Sequence, residues 1–182
     1  MDRRCCIKHG LKVSQTQPIA RFPTTDKRCP QGWQYFDGTD SCYWLRDFTY
    51  DQGYWKLVDY QLADEGCKKM SAQLVSIHSE EEDDFVYDLI SSYVGNMTNV
   101  VVNNGNPCAY LMVWSGLYSK GAINDGWWSD GTPVDYLGIG VYPMGLGYQW
   151  LLRNDRSCGR AEWEPNNSDR YFARYVCKIR SE

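Results

Sequence analysis

The sequence predicts an α+β domain, and three observations carry that reading. An aromatic segment with a central Asp-Gly, residues 29–45, reads as a β-hairpin. Two segments, 55–70 and 78–93, repeat apolar residues at three- and four-residue steps, the period of helices buried on one face. Short apolar runs bounded by glycine and polar residues then follow at 109–118, 148–153 and 170–179, and these have the length of strands. The 182 residues are about one domain's worth, and 43% of them are hydrophobic, enough for a core.

Residues 1–28 read as a tail. They are polar, contain Pro18 and Pro23, and show no sustained period, so an extended or disordered segment is expected. In the hairpin Trp33, Tyr35 and Phe36 lead in, Asp37-Gly38 turns, and Cys42 to Leu45 lead out. Cys29 and Cys42 lie on its two arms and could staple them. In the first helix Val58, Leu62, Ala63 and Cys67 form an apolar stripe. Residues 72–77, AQLVSI, are a short strand or extended link. The second helix opens with Ser79 and, three residues later, Glu82, the pattern of a capping box. Glu80 to Asp84 fill its first turns, where the helix dipole favours negative charge. Phe85 with Leu89, and Val86 with Ile90, supply its buried face. The acidic run would also suit a metal, but capping explains it without one. Residues 94–110 are a polar surface loop, and 109–118 a buried strand ending at Gly116. Residues 127–136 are turn-rich and aromatic. Residues 137–147 hold four glycines and no charge.

Charge and cysteine content exclude several classes. With 19 Lys and Arg against 23 Asp and Glu, the net charge is −4, and nothing suggests nucleic-acid binding. The charge is uneven: residues 1–28 carry seven basic and two acidic side chains, so a basic tail precedes an acidic domain. No stretch approaches the roughly 18–20 apolar residues of a membrane span. The eight cysteines form no zinc-ligand spacing, and only His9 and His78 are available beside them. A disulfide framework in an oxidising compartment is the better reading. Residues 1–28 hold no apolar run of signal-peptide length, so either a signal precedes this numbering or the compartment is not oxidising.

The order of elements and several motifs resemble a C-type lectin-like domain over residues 29–182. Ala63 and Cys67 stand four apart on the first helix, and AQLVSIHS leads to the acidic second helix. Trp114-Ser115-Gly116-Leu117 is similar to the family's Trp-Ile-Gly-Leu core motif. Trp128-Ser129-Asp130-Gly131, with Pro133 and Tyr136, is similar to its Trp-x-Asp-Gly turn, and Tyr175-Val176-Cys177 closes the domain. The resemblance implies a double-looped fold with two helices, two small antiparallel sheets and paired chain ends. It implies a Cys67–Cys177 bond, a Cys29–Cys42 bond typical of the long form, and core positions for Trp114, Leu117 and Trp128. The alternative for those three is a ligand platform.

The chain departs from the family at two points. The family's second disulfide is missing at both ends, since Ser168 stands where one cysteine belongs and Gln149 or Trp150 where its partner does. Cys108 and Cys158 remain, and they are expected to pair with each other. The second departure concerns Glu164-Pro165-Asn166. In the family a Glu-Pro-Asn holds calcium in the long loop. Here that slot is 137–147, without an acidic residue or Asn, whereas calcium takes six to eight oxygens, mostly carboxylates and carbonyls. Trp163-Glu164-Pro165 instead occupies the slot of a later Trp-Asn-Asp motif. Asn154-Asp155 is a poor substitute among Arg153, Arg156 and Arg160.

The expected function is therefore a secreted, extracellular recognition module working without calcium or another cofactor. It would bind a protein or glycan through the long-loop face, Ile139, Val141, Tyr142, Met144 and Leu146. The same loop could instead fold back into the core. One alternative is a calcium-dependent carbohydrate-binding lectin with a rearranged site, Glu164 and Asn166 serving as ligands. A remote one is a secreted enzyme, in which His78 would act as acid, base or metal ligand, though no nucleophile motif supports it. Asn96-Met97-Thr98 and Asn166-Asn167-Ser168 are glycosylation sequons. Cys5 and Cys6, adjacent and in the tail, suit a link to another chain, as in a disulfide-linked dimer.

Overall fold

A computed structural model describes residues 28–48, 55–91, 108, 110–119, 126–138, 148–152, 158, 163–167 and 169–182. The tail with Cys5 and Cys6, the sequon residue Asn96, the long-loop residues 139–147, the pair Asn154-Asp155 and Ser168 lie outside the described residues.

The hairpin forms from β1 (Gln34–Phe36) and β2 (Ser41–Asp47), paired antiparallel with Phe36 opposite Ser41. Its turn is a short 3-10 segment, Asp37–Thr39, rather than a two-residue Asp-Gly loop. Asp40 then takes the left-handed conformation at φ 48°, which Asp tolerates better than most residues. Helix α1 (Tyr60–Lys68) begins five residues later than the predicted segment 55–70. Asp59 sets that start, because its side chain accepts from Leu62 N at 2.8 Å and caps the helix. Val58, ahead of the cap, instead bridges to Phe172. Ala63 and Cys67 are buried, whereas Leu62 is 48% exposed, so the stripe is narrower than expected.

Strand β3 (Gln73–Leu74) leads to helix α2 (Glu80–Ser91). The capping box is present with one change. Glu82 N donates to Ser79 Oγ at 3.2 Å, while the Glu82 carboxylate reaches back to His78 N at 2.8 Å, one residue before the cap. Strand β4 (Val113–Ser119) runs through Gly116 rather than ending there. Gly116 marks close backbone approach instead: its N donates to Val75 O at 2.9 Å, and a Cβ there would lie 2.6 Å from Ser129 Oγ and 2.9 Å from Leu74 O. The pairing with β6 shifts register between Trp114 and Tyr118. Strands β5 (Trp127–Trp128), β6 (Tyr148–Leu152), β7 (Glu164–Asn166) and β8 (Arg174–Arg180) complete the set.

Among the described residues these strands form one connected path, β1-β2-β8-β4-β6-β7, with β3 added to β8 and β5 to β4. The two expected small sheets are thus joined. The join is the sheet's parallel pairing, Val113 opposite Arg174 and Trp114 opposite Tyr175, where β4 meets β8. Its other pairings are antiparallel. Three disulfides tie the fold: Cys29–Cys42, Cys67–Cys177 and Cys108–Cys158, with Cα separations of 5.6, 5.5 and 5.5 Å.

The core has two halves. Ala63, Cys67, Leu74, Trp114 and Phe172 fill the one under α1, where Trp114 Nε1 donates to Val58 O at 3.0 Å. Tyr43, Val86, Ile90, Leu117, Trp128 and Trp163 fill the one under α2. Trp114, Leu117 and Trp128 are fully buried, so they serve packing and not a ligand surface. Buried Arg174 lies between helix and loop, and its guanidinium donates to the Leu111 and Ile90 carbonyls.

Candidate functional site

The tripeptide Glu164-Pro165-Asn166 forms β7, which pairs with β6 in the register Leu151 opposite Glu164 and Gln149 opposite Asn166. Pro165 lacks an amide hydrogen, and β7 ends the strand order, an edge position where proline is tolerated. Trp163 anchors the strand. It is fully buried, its Nε1 donates to Asp83 Oδ1 at 3.1 Å, and its ring meets Trp128 and Tyr136 edge-on, both at 6.0 Å. The backbone at Gly138 lies on that indole so closely that a Cβ there would come within 2.3 Å of it. The start of the 137–147 segment is therefore fixed by Trp163. Glu164 and Asn166 share one face of β7 by strand alternation, and both are half-buried. Among the described residues no group of three His, Cys, Asp or Glu side chains is placed to hold a metal ion.

The acids of α2 have structural partners. Glu82 is fully buried and accepts from Tyr43 OH, from Lys178 Nζ at 2.6 Å and from His78 N. Burial, then the adjacent Glu82 charge, pushes the Tyr43 phenol well above its ordinary range. Asp83, also buried, accepts from Trp163 and Tyr136. Both acids fall on the helix face of Val86, Leu89 and Ile90, three to eight residues on, so the periodicity that marks the apolar face also marks these carboxylates as inward. That periodicity was the available signal for Glu82 and Asp83; it does not reach their partners Tyr136 and Trp163.

His78 lies beside a second group of polar residues. Its Nδ1 is 2.7 Å from Asp135 Oδ1 and its Nε2 is 3.1 Å from Thr132 Oγ1. A hydroxyl, an imidazole and a carboxylate in that order invite comparison with a hydrolase triad. The proton runs the wrong way, however, since Thr132 Oγ1 donates to Asp130 Oδ1 at 2.6 Å. The imidazole does not receive the hydroxyl proton, so Thr132 is not an activated nucleophile. Asp130 also accepts from Ser76 Oγ at 2.5 Å, and Lys178 Nζ donates onward to Ser76 O at 3.1 Å. Burial would raise the Asp130 carboxyl, but the bonds from Ser76 and Thr132 outweigh it and hold the group below the usual carboxylate range. The His78 bond does the same for exposed Asp135. Ser76, His78, Asp130, Thr132 and Lys178 line a polar cleft of about 500 Å³, and these groups already satisfy one another.

A larger cleft, about 850 Å³, opens between β7, the turn after it and the segment before α1. Leu57, Tyr110, Tyr171 and Phe172 supply its apolar wall, and Asn166, Asn167, Asp169 and Arg170 its polar one. Of these, the sequence marks Asn166 and, within the same sequon, Asn167. The lining residues come from separated segments, and the strand β7 that gathers them is masked in sequence by its proline.

No protein-family model matches the chain. It is 30% identical over 138 residues to Dromaiocalcin-2 of Dromaius novaehollandiae, an alignment covering 74% of this chain and 79% of that protein. It is 29% identical over 126 residues to a Type-2 ice-structuring protein of Hemitripterus americanus, covering 69% of this chain and 60% of the relative. Lymphocyte antigen 75 of Mus musculus is 31% identical over 188 residues, covering 92% of this chain but 10% of its own length. The chain thus spans less than two thirds of these last two. Human lithostathine superposes with a TM-score of 0.59 at 25% identity, over 90% of this chain and 99% of that one. On these relatives, the fold and the disulfides, the chain belongs to the C-type lectin-like domain family.

Proposed function

We propose that this chain is an extracellular recognition module that binds a protein or glycan without calcium, and that it is not an enzyme. The observation that carries the calcium-free reading is the position of Glu164-Pro165-Asn166. The tripeptide is an edge strand held in place by buried Trp163 and its bond to Asp83, not a loop of free carboxylates. The loop slot at 137–147 has no carboxylate of its own. The long-loop face, with Ile139, Val141, Tyr142, Met144 and Leu146, remains the proposed contact surface on its composition. Against catalysis stands the direction of the Thr132 proton, away from His78.

An ion that binds the folded form stabilises it by mass action. The melting temperature is therefore expected to be the same in millimolar calcium and in chelator. A rise of several degrees with calcium overturns this reading and favours a lectin using Glu164 and Asn166. A glycan array and an extracellular-protein pull-down, each run with calcium and with chelator, then separate sugar from protein as partner.

A further inference from the structure

The 850 Å³ cleft beside β7 is of a size that commonly houses a small ligand. Its chemistry is selective. Tyr171 is 50% exposed, and with Tyr110 it offers aromatic surface above buried Phe172. Aromatic rings of this kind take the C–H face of a sugar, because one side of a pyranose is apolar while its hydroxyls point outward. The side chains of Asn167, Asp169 and Arg170 make no hydrogen bond or ion pair among the described residues, so donors and acceptors stand open on the polar wall. Asp169 and Arg170 carry opposite charges in adjacent positions. The wall is therefore neutral as a whole and suits an uncharged polyol better than an anion or a cation.

Asn166 contributes to the same wall and is also the first residue of the Asn166-Asn167-Ser168 sequon. Its Oδ1 accepts from Asn167 N at 3.1 Å, and its Nδ2, the atom that carries an N-linked sugar, has no partner among the described residues. The half-burial of Asn166 is no barrier to attachment, which takes place on the extended chain before folding. It does mean that the folded protein must house whatever is attached, and the cleft gives that room.

We propose that this cleft seats a carbohydrate carried by the protein itself: an N-linked glycan on Asn166, whose first N-acetylglucosamine packs against Tyr171. The glycan then acts as part of the fold, covering aromatic surface next to β7. The inference rests on the extracellular placement proposed above, since N-glycosylation belongs to the secretory route.

The test uses the full chain secreted from a glycosylating host. Glycopeptide mapping is expected to find sugar on Asn166, and trimming to a single N-acetylglucosamine should leave the melting temperature unchanged. Asn166→Gln and Ser168→Ala should each lower it by about 2–4 °C, the shift given by a loss of about one contact's worth of stability in a chain of this size. Ser168→Ala keeps the Asn166 side chain and so reports on the sugar alone. Tyr171→Ala should lower the melting temperature in the glycosylated protein and leave it unchanged in the Ser168→Ala background. An unmodified Asn166 in protein that carries sugar on Asn96 overturns this inference and spares the extracellular reading, while absence of sugar from both overturns both. An equal Tyr171→Ala effect in the two backgrounds also overturns it. So does Tyr171-dependent binding of added N,N′-diacetylchitobiose to protein unmodified at Asn166, which would make the sugar a ligand from outside.

Discussion

Lys178 holds a buried carboxylate 96 residues away in sequence, and the exchange between them decides much of the local energetics. Glu82 is fully buried and Lys178 is 14% exposed, so removing the cation leaves a charge stranded out of water. Lys178→Met is expected to cost about 3 kcal/mol, measured as a shift in the urea midpoint. A loss under about 1 kcal/mol would mean that Tyr43 and the His78 amide suffice for Glu82. Asp130 and Asp135 make the acid side testable. Both have folded-state values depressed below those of an unfolded aspartate, near 3.9. Their contribution is present above that pH and is lost as pH falls through the folded values. The urea midpoint should therefore drop below about pH 4, and Asp130→Asn should flatten that decline while lowering stability at pH 6. At this scale the apolar residues were legible in sequence: Trp114, Leu117 and Trp128 sit where their motifs suggest, fully buried. The carboxylates were less so. A helix N-terminus explains acidic residues on its own, and the partners of Glu82 and Asp83 include residues 80 or more positions further on.

Among the elements, the hairpin, both helices and the strands β4, β6 and β8 follow from period and turn chemistry. Boundaries moved where a single side chain intervened. Asp59 delays α1, and Gly116 lets β4 pass close to the Val75 backbone instead of ending there. Strand β7 was illegible, because Pro165 and Asn166 argue against a strand and only its pairing with β6 makes one. With it the larger cleft was hidden as well. The disulfides offer a comparison between elements. Cys67–Cys177 closes a 110-residue separation and Cys29–Cys42 one of 13. Chain entropy assigns them about 4.8 and about 3 kcal/mol. Replacing the first pair by serine should therefore lower the denaturant midpoint more than replacing the second. The reverse order would show that the hairpin staple stabilises β1 and β2 by more than loop closure.

For the whole molecule, the cysteines left outside the three internal bonds are Cys5 and Cys6, in the tail. The 182-residue chain, expressed through a secretory host, is expected to run as a disulfide-linked species on a non-reducing gel and as a monomer when Cys5 and Cys6 are both replaced by serine. A monomer band for the native chain removes the link. The pairing of the chain ends reaches further. Glu182 N donates to Arg28 O at 3.2 Å, and β2 lies along β8 for seven residue pairs. A pull on the two ends meets those strands from one end, so their hydrogen bonds break in succession, as a zip opens. Cys29–Cys42 and Cys67–Cys177 then act as short circuits along the chain, and Cys108–Cys158 lies inside the second of them. Within residues 29–182 these three bonds leave the stretch between Cys42 and Cys67 and the residues after Cys177 to lengthen, on the order of 100 Å at full extension. With its bonds reduced, the same domain would release about five times that length. Under load such a domain would open easily but only a short way, with the slack set by the redox state of its surroundings.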